Sequence, residues 1–218
     1  IQRQPLAARV LADVEDPRGD DTGPGTYVYP ATPHLRAGSL DLTRFQVAAD
    51  DSVVRFTLTF RALSDPGWHP EYGFQLTYAA IAIDTDRTPG SGQRSVGRNA
   101  LYALSLDRAF ERIVYVGGGV RVEDGKGTVV AEYLPVESDA RSPLGIASTG
   151  TLAFSLPVSM VGSPTATWRY TILIGAQDDH GGAGIGDFRA VQRTVGEWHG
   201  GGRRATADPN IYDVLLIQ

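Results

Sequence analysis

In Val53-Val54-Arg55-Phe56-Thr57-Leu58-Thr59-Phe60, the side chains of Val54, Phe56, Leu58 and Phe60 fall on one side of an extended chain. Val53, Arg55, Thr57 and Thr59 fall on the other. Side chains alternate across a strand, so this spacing makes one apolar and one mixed face, whereas a helix needs its apolar residues three and four apart. Trp168, Tyr170, Ile172 and Ile174 repeat the pattern. Phe74 to Ile83, Ile113 to Val116, Thr128 to Leu134, Leu152 to Leu156 and Tyr212 to Ile217 read as further strands. Turn residues separate them, among them Asp124-Gly125-Lys126-Gly127, an Asp-Gly hairpin signal between two apolar runs. Helical spacing is confined to two short stretches, Leu6 to Val14 and Pro157 to Val161. Many short strands in a chain with 26 Gly and 13 Pro predict an all-β fold, an antiparallel β-sandwich of about ten strands with little helix. Val54, Phe56, Leu58, Phe60, Ile172 and Ile174 are expected inside it. No composition break, linker or internal repeat divides residues 1–218, which read as a single module.

Composition narrows the function classes. There is no Cys, which excludes disulfides, thiolate zinc sites and a cysteine nucleophile. No run of apolar residues is long enough to span a bilayer as a helix. The net charge is −5, and the basic residues form no face, so nucleic acid is not expected as a partner. The chain begins at Ile1 and its single Met is Met160, which reads as a mature product or an excised module.

The stretch from Asp16 through Arg18, Gly19, Asp20, Asp21, Gly23, Pro24 and Gly25 to Tyr27 and Tyr29 is dense in acid and turn residues. Three carboxylates within six residues repel one another unless a cation or several donors compensate, and Gly19 lets the backbone turn between them. Asp16, Asp20 and Asp21 are therefore candidate ligands for calcium, which takes six to eight oxygens. The alternative is a well-ordered turn in which Arg18 and nearby amides neutralise the acids. Asp84-Thr85-Asp86 opens a second acidic loop, but an EF-hand would need Glu where Ser95 stands, so a turn at a strand end is expected there.

Enzyme signatures are missing: no Gly-x-Ser-x-Gly, His-Glu-x-x-His or phosphate-loop pattern occurs, and no catalytic residue is assigned. The Gly-rich stretches 180–187 and 196–202 lack dinucleotide spacing and read as permissive loops. Trp168 lies within a strand pattern and is expected in the core. Trp68 and Trp198 lie in loops, where aromatic rings can stack on sugar faces, and they are the candidate ligand-binding residues.

The segment from Asp16 to Pro30 resembles the signature of the C-terminal binding module of bacterial glucodextranase, a module also found in some amylopullulanases and cell-surface proteins. The resemblance continues through Gly38-Ser39-Leu40-Asp41-Leu42-Thr43-Arg44-Phe45-Gln46-Val47, Ile81 to Asp86 and Gly97 to Ala100. It closes with Trp198-His199-Gly200-Gly201-Gly202 and Asp208-Pro209-Asn210-Ile211-Tyr212-Asp213-Val214-Leu215, spanning residues 16–216. It implies a sandwich similar to family 9 carbohydrate-binding modules and DOMON domains. Such a module is non-catalytic, extracellular or at the cell surface, and holds polysaccharide or cell-envelope glycan, in some cases beside an attached catalytic domain. Asp41, in the second motif, becomes a fourth candidate metal ligand. Where family members often carry Trp, this chain has Phe110, which is either a weakened sugar contact or a core residue. Two alternatives stand beside the glycan reading. One is a DOMON-like domain for a small ligand or haem, for which Met160 and a His would be the axial pair. The other is a purely structural module packed on a catalytic domain.

Overall fold

The computed structural model describes residues 8–135 and 143–218. Fourteen strands occur among them. In chain order they are β1 (Arg9–Glu15), β2 (Leu42–Ala49), β3 (Val53–Phe60), β4 (Thr77–Asp84), β5 (Ser95–Val96), β6 (Tyr102–Ala103) and β7 (Arg112–Gly117). There follow β8 (Gly119–Asp124), β9 (Val129–Tyr133), β10 (Gly145–Ile146), β11 (Thr151–Pro157), β12 (Arg169–Asp178), β13 (Asp187–Phe188) and β14 (Asp213–Ile217). One sheet has the order β1-β2-β3-β11-β10. The other runs β13-β12-β4-β7-β8-β9, with β14 beside β13 on the same edge of β12, and β5 and β6 form a separate hairpin. Every strand pairing is antiparallel. The predicted antiparallel all-β fold is what the chain adopts. The count exceeds ten because β5, β6, β10 and β13 are two residues long, too short for any periodicity to register.

Alternation fixes which sheet faces meet. Val54, Phe56, Leu58 and Phe60 of β3 pack with Phe45 and Val47 of β2 against Ile81, Val114, Ile172 and Ile174 of the facing sheet in one buried cluster. Phe45 stands 5.5 Å from Tyr170 across the gap, and Phe56 stacks 5.2 Å from Phe154 of β11. Trp168 belongs to this cluster, as its strand pattern implies. The other face of the larger sheet is also covered. Tyr78, Ala80, Ala82, Tyr115 and Leu173 form a second cluster with Phe188 of β13 and with Phe110 and Ile211 from the connecting segments. All eight residues of β4 are therefore buried, which is why that strand reads as a continuous apolar run. Phe110 is wholly buried here, so the position is core.

The stretch expected to be helical, Leu6 to Val14, lies partly outside the described residues, and from Arg9 onward it belongs to the strand Arg9–Glu15. β1 pairs with β2 along its length, and Asp13 receives Arg44 through two bonds of 2.7 Å. Pairing with an open sheet edge satisfies the backbone there, and outweighs the weak helical preference of a short segment. The other expected helix forms as a single turn, α1 (Val158–Val161). The Asp124 turn joins β8 to β9, with the Asp124 carboxylate accepting the amides of Lys126 and Thr128.

Phe56 is fully buried between Phe45 and Phe154, so truncation leaves a void its β-strand neighbours cannot close. Phe56→Ala is expected to cost about 3–5 kcal/mol of unfolding free energy, read from the urea midpoint at an unchanged slope. A cost below 1 kcal/mol would contradict this packing.

Candidate functional site

The Asp-rich loop that follows β1 is held by the far end of the chain. Gly23 N–H donates to Tyr212 O at 2.8 Å, Tyr27 Oη donates to Pro209 O at 2.6 Å, and Val28 bridges Gly201. The rings of Tyr27 and Tyr29 pack edge-on against Tyr212 at 5.4 and 5.6 Å. Glycines make this closeness feasible. A Cβ on Gly200 would overlap Tyr212 Oη, and Gly202 adopts a φ of 96° against the Thr26 carbonyl. The opening and closing motifs thus form one joint.

Carboxylates converge at that joint. Asp16, Asp20 and Asp213 each offer an oxygen, all within 4.8 Å of one another. Asp213 also accepts the amide of Leu42 at 2.8 Å, which ties β14 to the start of β2. Asp41, wholly buried, accepts Gly19 N–H at 2.9 Å through an oxygen that is also ion-paired with Arg61 Nε at 2.9 Å, while its other oxygen has no hydrogen-bond partner. Asp16 Oδ2 is likewise buried without one. Asp21 turns to a different set of contacts, accepting Tyr29 Oη with Arg61 at 4.0 Å. Burial, with the charges of Asp20 and Asp41, pushes the Asp16 carboxyl up to about 7. Burial pushes Asp213 up to about 8 against the opposing Leu42 amide, and the charges of Asp16, Asp20 and Asp41 add to it. Asp41 is raised as well, chiefly by burial. An all-carboxylate donor set with buried, unpartnered oxygens suits a hard divalent cation.

The second acidic group provides a contrast. Asp84, Asp86 and Glu111 also approach within 4.8 Å, but their oxygens already accept from chain donors. Asp84 takes the amide of Arg87 and the Arg169 guanidinium, Asp86 takes Thr88 N–H and Ser91 Oγ, and Glu111 takes Thr85 N–H. It is the hydrogen-bonded turn its sequence implies.

Trp68 and Trp198, from opposite halves of the chain, are brought together with ring centroids 6.1 Å apart and planes tilted by 54°. His34 joins them, 4.9 Å from Trp68 and near-parallel to Trp198 at 6.2 Å. Trp68 is anchored by its amide on Gln75 Oε1 and Trp198 by the Arg189 guanidinium 5.8 Å from its ring. Both indoles remain exposed, at 44% and 36%. They border a groove of about 460 Å³ whose other wall carries Asp178, Asp179 and His180. Arg189 is paired with Asp178 at 3.4 Å, and His180 Nε2 lies 2.7 Å from Asp187. Met160 sits on α1 against the main core, whereas the hydrogen bonds and ring contacts of the four imidazoles run to other residues.

A model of the family described as the C-terminal binding module, SLH-like, of glucodextranase matches residues 11–218. The chain belongs to this family. Among curated proteins none matches it. No helix of the described residues is long and apolar enough to cross a membrane.

Two residues of this module escape a reading of loops taken singly. Asp213 stands in the closing motif at the mouth of a strand, and only its burial beside Asp16 shows it belongs with the acidic loop. His34 carries no local signature, and nothing in its own segment announces the two indoles.

Asp16 and Asp213 keep a proton in the folded, ion-free chain at pH values where the unfolded chain has released it. Between about pH 4 and pH 8 the folded state therefore binds more protons, and its stability falls as pH rises through that window. In chelator, calorimetric midpoints are expected to decline from about pH 5 to about pH 8, with a shallower decline for Asp213→Asn. A midpoint that climbs over that range would contradict the burial of these acids.

Proposed function

We propose that this module is a non-catalytic glycan-binding domain that holds a neutral polysaccharide, of the α-glucan class, in the groove bordered by Trp68 and Trp198. The observation that carries this reading is the pair of exposed indoles gathered around one groove. Rings of this size leave water at roughly 25 cal/mol for each Å² covered, so a cluster held open to solvent is a prepared contact surface. The groove's charge supports a neutral ligand. Asp178 and Asp179 line it, and Arg189, its one arginine, is already matched by Asp178. Anionic polymers would meet repulsion there, while hydroxyls find carboxylate acceptors. The family name ties such modules to a glucan-active enzyme, which fits a role in keeping an attached catalytic domain, or the cell surface, close to polysaccharide.

Calcium is the second part of the proposal. Asp16, Asp20 and Asp213 would hold it, with Asp41 supplying buried negative charge alongside. The ion would neutralise acids contributed by both ends of the described chain and so pin the joint that organises the neighbouring loops.

Isothermal titration with dextran and pullulan oligosaccharides tests the groove. Trp68→Ala and Trp198→Ala are each expected to weaken binding about tenfold or more, the loss of a central aromatic anchor, with the melting curve kept. Unaltered affinity in both variants would remove the groove from consideration. For calcium, a concentration one hundred times the dissociation constant adds about 2.7 kcal/mol to folding stability. The wild-type midpoint should rise accordingly in calcium and fall in chelator, and Asp20→Ala, at an exposed position, should blunt the response. Identical midpoints in both buffers would leave the loop a loop.

A further inference from the structure

The carboxylate cluster has an open side. Asp20 and Asp213 line a cleft of about 450 Å³ whose walls include Pro24, Tyr102 and Pro209. Asp20 is exposed, whereas Asp213 is 3% exposed, so the acids run from the interior to the lip of this cleft. Within the cluster, Asp16 Oδ2 is buried and unpartnered, and the neighbouring Asp41, wholly buried and bonded to Gly19, also keeps one oxygen unpartnered. These orphaned oxygens point to a cation independently of the clustering itself, because a buried carboxylate oxygen without a donor is otherwise costly.

Three side-chain oxygens do not complete a shell of six to eight. The remainder must come from backbone, water or the occupant of the cleft. The chemistry of the cleft selects that occupant. With Arg61 matching Asp41, the charges of Asp16, Asp20 and Asp213 still outweigh one divalent ion, so a phosphate or carboxylate ligand is repelled. A sugar offers adjacent neutral hydroxyls on one edge, which suit a hard cation, and an apolar C–H face, which suits tyrosine and proline.

We propose that the cluster is a second glycan subsite, in which the cation held by Asp16, Asp20 and Asp213 takes adjacent hydroxyls of a neutral saccharide lying against the Tyr102 wall. This rests on the calcium reading above. The module then grips one polymer at two places, and the second contact gains from the effective concentration set by the first.

The test begins from the Trp68→Ala/Trp198→Ala double variant, which removes the aromatic groove. Terbium replaces calcium, and its emission lifetimes in H2O and D2O count the waters bound to the ion. Titrating isomaltotriose is expected to lower that count by about two, one for each hydroxyl entering the shell. Retention of the double variant on a dextran resin should fall at least fivefold on chelation at a temperature where circular dichroism shows the fold intact. Tyr102→Ala, made in the same background, should lower retention to a similar degree, with calcium binding measured separately by titration calorimetry. Calcium that binds while water count and retention ignore the sugar would overturn this proposal and leave the calcium reading standing. Absence of both calcium and terbium binding would overturn both. Retention that persists undiminished in chelator would also overturn it, by placing the sugar elsewhere.

Discussion

Four aspartates from three separated segments share one partly buried joint, and the arrangement of the whole molecule turns on how their mutual repulsion is met. Asp16 and Asp20 come from the loop after β1, Asp41 from the turn before β2, and Asp213 from the first position of β14. Chain donors answer part of the demand: the Gly19 and Leu42 amides and the Arg61 guanidinium. They leave Asp16 and Asp41 each with an unpartnered oxygen. Evolved interiors pair their buried polar groups, so such remainders mark where an ion or a proton completes the structure. The joint also connects the two sheets, since β2 belongs to one and β14 to the other.

Around that joint the sandwich provides a rigid frame. The five-stranded sheet buries one face, and the larger sheet buries both for much of its width, so β4 and β12 are shielded from solvent almost throughout. A strand buried on two sides gives little away to ligand contact. Exposed ring surface is left to the segments that leave the sheets, where backbone can take unusual shapes and side chains can reach solvent. Trp68 lies between β3 and β4, Trp198 between β13 and β14, and His34 between β1 and β2. Their convergence needs three crossings of the fold, each fixed by strand pairing elsewhere.

The two sites differ in their physics. The aromatic groove is assembled from rings held by neighbours with satisfied contacts, so it exists before any ligand arrives. The carboxylate joint is charged and incomplete, so its order depends on what neutralises it. One offers preformed apolar area, and the other couples the two ends of the described chain to the solvent pH.

Much of the fold was legible in the sequence. Alternation marked β3 with its boundaries and both faces, because period two has only one structural meaning when the faces differ in polarity. The Asp124 turn declared its hairpin, since local backbone chemistry is enough to form it. The acidic loop announced that its charges needed compensation, and the two loop tryptophans announced ring surface without a core to enter. Local sequence could not assign Arg9–Glu15 to a strand, because an open edge of β2 supplied the hydrogen bonds that decided it. Nor could it place Asp213 beside Asp16, or His34 between two indoles. Those pairings depend on which sheet each strand joins, and long-range register is settled by packing across the whole core rather than by any segment's own preference.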